Sequence, residues 1–232
     1  MGVAFALLLI GAWAVHLWFC LVFVELDFSR AFLYVHVYLQ SYLCIGLFIT
    51  AHDAMHHSLS TRRRVNRVIG AVALFLYAAL SFRRLLKFHG RHHAHPGSDR
   101  DPDFCTETQN PLMWWGRFLG RYMTWTQFLT MASLFFLLSA LFGPGRVITF
   151  WMIPAFLGSF QLFFFGTYLP HRLPHTERMR PYNARSFPRN HLCAMLTCYF
   201  FGYHHEHHRS PRVPWWRLYR LKGKQSRRDS GN

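Results

Sequence analysis

Long uncharged stretches alternate with short polar ones along this chain, and their lengths predict the architecture. Residues 2–24 are 23 positions without a charged side chain, and residues 31–51 are 21 more. Later come 20 such positions at 123–142 and 23 at 147–169, joined by the tight turn Phe142-Gly143-Pro144-Gly145-Arg146. A helix rises ~1.5 Å per residue and a hydrocarbon core is ~30 Å thick, so each stretch is long enough to cross a bilayer. The pattern predicts an all-α integral membrane protein with four transmembrane helices, and Pro154 predicts a kink in the last. The first stretch reads as a retained helix, because a signal peptide would be shorter and preceded by basic residues, whereas the first basic residue here is Arg30.

A fifth apolar stretch, Val68 to Phe82, is only 15 residues long and lies between Arg62-Arg63-Arg64 with Arg67 and Arg83-Arg84. It would span ~22 Å, short for a crossing, and reads as an interfacial or re-entrant helix that dips in and returns. A short apolar helix, Leu192 to Tyr203, is expected to carry the last histidine cluster. With no repeats, residues 1–232 read as a single domain, with a disordered basic tail at about 222–232.

Charge orients the arrangement. Lys and Arg number 26 against 10 Asp and Glu, a net charge of +16. Segment 57–121 holds 11 of the basic residues and 170–232 holds 13, while the other two are Arg30 and Arg146 in the short connections. Lys and Arg are retained on the cytoplasmic side, so both long segments and both termini are expected in the cytoplasm of a multi-pass membrane protein. With 52% hydrophobic residues, the positive charge requires no nucleic acid, and it suits anionic headgroups or an acidic redox partner. The five cysteines are odd in number and contain no Cys-x-x-Cys, which argues against a disulfide framework or a thiolate zinc site.

Histidine supplies the candidate chemistry. His204, His207 and His208 fall at i, i+3 and i+4, as do His89, His92 and His93, and His52 and His56 lie one helical turn apart. Packing has no need for imidazole three times at these offsets. Imidazole suits zinc, copper, iron and nickel, so spacing alone defines a metal site without the element. Eight nitrogens over-supply one ion and fit two. All three clusters can share a site only if Val68 to Phe82 does not cross. Asp53 and Glu206 are expected to orient imidazoles, with direct ligation chemically open, and Asp101 and Asp103 are expected in the same role or simply in a polar turn. His171, directly after the fourth long stretch as His52 is after the second, is expected as a ninth ligand; the alternative is an imidazolium meeting the helix dipole. His57, His95, His175, His191 and His205 stand off the repeated face. His16 and His36, the mid-membrane pair, read as hydrogen-bonded structural residues, and Trp215-Trp216 as an interfacial anchor.

The three boxes in this order, among four spanning helices, resemble the membrane fatty acid desaturase and hydroxylase superfamily. The resemblance sharpens at Ala51-His52-Asp53-Ala54-Met55-His56, His95-Pro96-Gly97 with Asp101-Pro102-Asp103-Phe104, Phe165-Gly166-Thr167-Tyr168-Leu169-Pro170-His171-Arg172 and Asn183-Ala184-Arg185-Ser186. Phe201-Gly202-Tyr203-His204-His205-Glu206-His207-His208 and Val213-Pro214-Trp215-Trp216-Arg217-Leu218 complete it. Together these segments resemble the bacterial carotenoid 4-ketolases over nearly the whole chain.

That resemblance implies a site with two Fe ions and O2 as cosubstrate, an extra histidine between the second and third boxes, and a ferredoxin-type electron donor. It also implies oxidation at C4 of a β-ionone ring, in β-carotene or a hydroxylated carotenoid. His57 and Tyr182 depart from the usual residues at their positions, and neither is expected to touch a ligand. The alternatives are an acyl-lipid desaturase or hydroxylase on the same scaffold and a metal-binding membrane transporter.

Overall fold

A computed structural model describes residues 1–222. From residue 223 onward, the tail expected to be disordered lies outside the described residues. The described chain is mostly helical and contains no strand. Four helices are long and apolar enough to cross a membrane: α1 (Gly2–Phe23), α2 (Ala31–Met55), α6 (Trp125–Phe142) and α7 (Pro144–His171). Between them lie α3 (Arg63–Ala78), α4 (Phe82–Ala94) and α5 (Pro111–Tyr122), and two short helices follow, α8 (His191–Cys198) and α9 (His204–Arg209).

The second helix is the centre of the packing. From Cys44 to Met55 it is buried almost continuously, whereas α1 buries one stripe, Ala6, Trp13, Leu17, Cys20 and Leu21, against it. Close approach of α3 to α2 needs Gly70, because a Cβ there would fall 2.9 Å from Ala54 Cβ and 2.2 Å from the Phe82 ring. Asn66, Gly70, Ala73, Leu74 and Tyr77 form the buried face of α3.

The short fifth stretch turns back instead of continuing. Ala79 takes a left-handed conformation (φ 51°) and ends α3, Ser81 caps α4 by accepting from Arg84 N, and the two helices meet at 100°. A straight crossing is thereby replaced by a bent pair that delivers His89, His92 and His93 back toward His52 and His56.

Two stretches of α7, Ile148–Met152 and Phe164–Tyr168, are π-helical, and each precedes a proline, Pro154 and Pro170. A proline supplies no N–H and its ring crowds the carbonyl four residues back, so the widened turn relieves both. The expected kink at Pro154 is thus a π stretch, and a second, at Pro170, sets the direction from which His171 emerges.

The amphipathic α5 was not expected from the sequence, although Asn110-Pro111 carries its start signal. Asn110 Oδ1 accepts from Leu112 N (3.0 Å) and Met113 N (3.1 Å), with proline at the first helical position. A second difference concerns the last cluster. The apolar helix before it ends at Cys198, where Tyr199 and Phe200 have positive φ (48° and 63°), so the cluster stands on its own helix, α9. A third is Trp215, expected as an interfacial anchor; it is buried against Tyr199 and Phe5, and Trp216 stacks on Phe5.

Candidate metal centre

Nine histidines from four elements converge, and they separate into two groups. In one, His52, His56, His89, His93 and His207 each present a donor atom within 4.8 Å of the others; in the other, His92, His171, His204 and His208 do the same. The division cuts across the sequence boxes. At 100° per residue, positions i and i+4 lie 40° apart, and i+3 lies 60° to the other side. On α4 the pair His89 and His93 joins the first group and His92 the second, whereas on α9 the pair His204 and His208 joins the second and His207 the first.

The ring nitrogens are close. His56 Nε2 lies 2.7 Å from His89 Nε2, and His93 Nε2 lies 3.1 Å from His207 Nε2. His208 Nε2 is 3.1 Å from both His92 Nε2 and His204 Nε2. Each neutral imidazole has one donor nitrogen and one acceptor, so so many facing nitrogens cannot all satisfy one another. His171 Nε2 and both ring nitrogens of His52 are buried with no hydrogen-bond partner. Buried unpaired acceptors gathered round a point are what a cation would satisfy.

The polar surroundings of His92 and His171 hold both rings in one tautomer. Asp101 Oδ2 accepts from His92 Nδ1 (2.9 Å) and from Gly97 N (2.8 Å), while its Oδ1 accepts from Asp103 N (2.8 Å). His171 Nδ1 donates to the Asn183 carbonyl (2.9 Å), and Asn183 Nδ2 donates to the Pro96 carbonyl (3.1 Å). In each ring the other nitrogen, Nε2, faces the second group.

The remaining carboxylates differ in what they touch. Asp53 is buried; its Oδ2 accepts from Trp215 N (3.1 Å), and its Oδ1 is 3.6 Å from His52 Nδ1, beyond a hydrogen bond. Asp103 lies 4.0 Å from His92 Nδ1 and accepts from the Tyr122 hydroxyl. Glu206, expected to orient an imidazole, instead accepts from Ser186 and pairs with Lys222 (3.2 Å). Two residues beyond His204, it is turned 200° around α9, away from the cluster.

Electrostatics favour neutral rings on α9, whereas at His92 burial is outweighed by Asp101 and Asp103, which hold it above the ordinary histidine range. Burial first, and neighbouring imidazoles second, hold His204, His207 and His208 well below the ordinary histidine range. Asp101 is held below the ordinary carboxylate range although burial works against it, because the His92 imidazole and the two amide donors outweigh that burial. Burial pushes Asp103 up to about 6. Neutral imidazole is the ligating form, so the α9 rings need no deprotonation to accept a metal.

The histidines left off the repeated face bond elsewhere or stand apart. His175 Nε2 donates to the His171 carbonyl (2.9 Å), His205 Nδ1 to the Ala184 carbonyl (3.1 Å), and His191 Nδ1 pairs with the Tyr203 hydroxyl (2.9 Å). His57 and His95 join neither group. Tyr182, expected to touch no ligand candidate, stacks on the His208 ring at 5.8 Å and 25°.

A cavity of about 570 Å³ ends at the centre, where His52, His89, His92 and His204 form part of its wall. The rest of its wall is mainly apolar, with Asp103, Gln127, Ser159 and Thr167 as polar members, and comes from α2 to α7 and Phe201. Ala132 and Met131 of α6 and Ala155 and Gly166 of α7 are among the lining residues. Phe128 and Phe136 line it too and are exposed, so the cavity reaches the outer surface of the helices.

Helices long and apolar enough to cross a membrane, with three histidine boxes brought together beside them, define a class to which comparison with known proteins assigns this chain. The fatty acid desaturase family model matches residues 29–124 and 116–228, and the chain belongs to that family. Within it, the chain is 44% identical over 181 residues to a β-carotene ketolase of Paracoccus sp. (strain N81106 / MBIC 01143), which covers 77% of this chain and 74% of that one. It is 44% identical over 185 residues to a β-carotene ketolase of Paracoccus sp. (strain PC1), over 78% and 76% of the two chains. A zeaxanthin 4-ketolase of Chlamydomonas reinhardtii is 37% identical over 231 residues, 94% of this chain and 52% of the relative. No solved structure matches the chain.

Proposed function

We propose that this protein is a membrane oxidoreductase that introduces a keto group at C4 of carotenoid β-ionone rings, using O2 and two irons. The observation that carries this reading is the apolar cavity that runs from the outer helix surface to four of the clustered histidines. A substrate taken from lipid would meet almost no polar group until it reached the centre. A fatty acyl chain would satisfy the cavity as well. The 44% identity to β-carotene ketolases favours a carotenoid.

The donor set fits the metals. His52, His56, His89, His93 and His207 would hold one ion and His92, His171, His204 and His208 the other, all through nitrogen, a set compatible with iron. When bound, the two irons would supply reductive activation of O2 for hydrogen abstraction and oxygen insertion. The chain's own residues do the rest. Asp101 and the Asn183 carbonyl fix the tautomers of His92 and His171, so that Nε2 is free to ligate. The apolar wall excludes water and presents one end of the substrate to the centre.

The stoichiometry closes with two turnovers. Each consumes one O2, two electrons and two protons, replaces one C4–H by C4–OH and releases one water. The geminal diol formed by the second turnover loses water to give the ketone. Electrons come from a ferredoxin-type donor, for which the basic loops are the matching surface. The Lys and Arg content of those loops supports a cytoplasmic side for them, both termini and the centre.

The experiment is expression in cells that make β-carotene, followed by chromatography of the pigment extract with mass detection. C4 ketones are expected, one or two per molecule. Unchanged pigment together with altered fatty acids would transfer the reading to an acyl-lipid desaturase or hydroxylase.

A further inference from the structure

A second cluster of ligand-type side chains lies within the membrane-spanning part of the fold, away from the nine histidines. His16 and Cys20, one turn apart on α1, meet His36 of α2, with one donor atom from each within 4.8 Å of the others. His36 is sixteen residues before His52 on the same helix, ~24 Å at a rise of ~1.5 Å per residue, so this cluster cannot share the ions of the centre. His16 and His36, each expected to be a hydrogen-bonded structural residue, bond to one another, with His16 Nε2 and His36 Nδ1 3.1 Å apart. The outer nitrogen of His36 is open to the ring proton. His36 is buried and its Nε2 has no partner.

Three details favour a metal over a simple hydrogen-bonded pair. Gln40, fully buried, places Oε1 2.5 Å from His16 Nδ1, and an amide oxygen can only accept. His16 therefore carries its proton on Nδ1 and turns its Nε2 lone pair toward His36 and Cys20, where it accepts from His36 Nδ1; Gln40 is the carboxamide version of the partner that orients ligating imidazoles. Cys20 is fully buried, and the polar contacts of its Sγ are with the His16 ring, 3.7 Å from Nε2 and 3.9 Å from Nδ1. The sulfur of Cys44, by contrast, already accepts from Trp13 Nε1 (3.3 Å). Finally, ions bound at ~2.0 Å by nitrogen and ~2.3 Å by sulfur hold their ligand atoms roughly 3.3 to 3.7 Å apart, close to the spacing present here.

We propose that His16 Nε2, His36 Nδ1 and the Cys20 thiolate form a third metal site, for copper(I). Soft thiolate with two imidazoles selects copper(I) or zinc. The surroundings decide between them. A thiolate and Cu⁺ cancel, whereas a thiolate and Zn²⁺ leave a net charge within the apolar part of the bilayer, where charge is costly. Binding forms the Sγ–Cu bond, releases the Cys20 proton to solvent, shifts the His36 proton from Nδ1 to Nε2 and changes no oxidation state. The site clamps α1 to α2.

The test uses the iron-loaded full-length protein, titrated with copper(I) under reducing conditions against the chromophoric chelator bathocuproine disulfonate. One copper per chain is expected to be withheld from the chelator, and its X-ray absorption spectrum should show one sulfur and two nitrogen neighbours. Cys20→Ser should lose the withheld copper while its iron content stays at the unsubstituted level. The absorption measurement needs no variant, so a poorly folding Cys20→Ser protein does not spoil the test. No withheld copper, a sulfur-free environment, unchanged retention by Cys20→Ser, or zinc withheld in place of copper would each overturn the proposal.

Discussion

His171 is the histidine whose setting is most distinctive, because its Nδ1 proton is committed to the Asn183 carbonyl and its buried Nε2 has no other partner. Helix-end electrostatics alone would leave that nitrogen free to face solvent. His171→Gln is therefore expected to lower iron from about two to about one per chain and to abolish ketone formation, since structural metal sites lose most of their affinity with a ligand. His175→Gln should leave both nearly unchanged, as a glutamine amide can still donate to the His171 carbonyl that His175 now reaches. Full iron and normal product in the His171 variant would return that residue to a structural role. The site histidines were all legible in the sequence, but their partners were less so. Glu206 looked like an imidazole partner through its position inside a box, yet two residues of helix turn it toward Ser186 and Lys222. Tyr182 stacks on His208 across a loop whose path no periodicity describes.

At the scale of elements, α6 is the one spanning helix without a buried residue, although its inner side lines the cavity. Its sequence is as apolar as that of the other spanning helices, so hydropathy could not reveal that it fronts a void instead of a packed neighbour. Ala132→Phe would place a ring in that void. The expected result is unchanged iron content with ketone formation reduced on the order of tenfold or more, because a displaced substrate loses its alignment with the centre. Iron content and product measured on one preparation check this, and full activity would move the substrate path elsewhere. The π stretches of α7 belong to the same scale. Their prolines were visible, but whether a proline kinks a helix or widens a turn depends on the neighbours against which it packs.

For the whole molecule the decisive feature is the 100° bend between α3 and α4. Had they formed one crossing, His89, His92 and His93 would lie a membrane thickness from His52 and His56. Single cysteines at Ser60 and Lys87, in a cysteine-free background, are expected to label together, and only from the cytoplasmic side. Labelling of one alone from outside the cell would require α3 and α4 to cross and would dissolve the shared centre.

Run length, Lys and Arg distribution and histidine offsets follow from local rules, namely helical rise, the cost of charge in hydrocarbon and 100° per residue. These determined the four helices long and apolar enough to span, the short stretch that does not continue as a fifth straight one, and the residues able to meet a metal. The allocation of those residues was decided only in three dimensions. The i, i+4 pair of α4 and that of α9 join opposite groups, each helix lending its i+3 ring to the other. Both helices carry the same spacing, so nothing local distinguishes them. The choice depends on the angle at which α4 and α9 face one another, which the Ala79 turn, the break at Tyr199-Phe200 and packing against α2 impose.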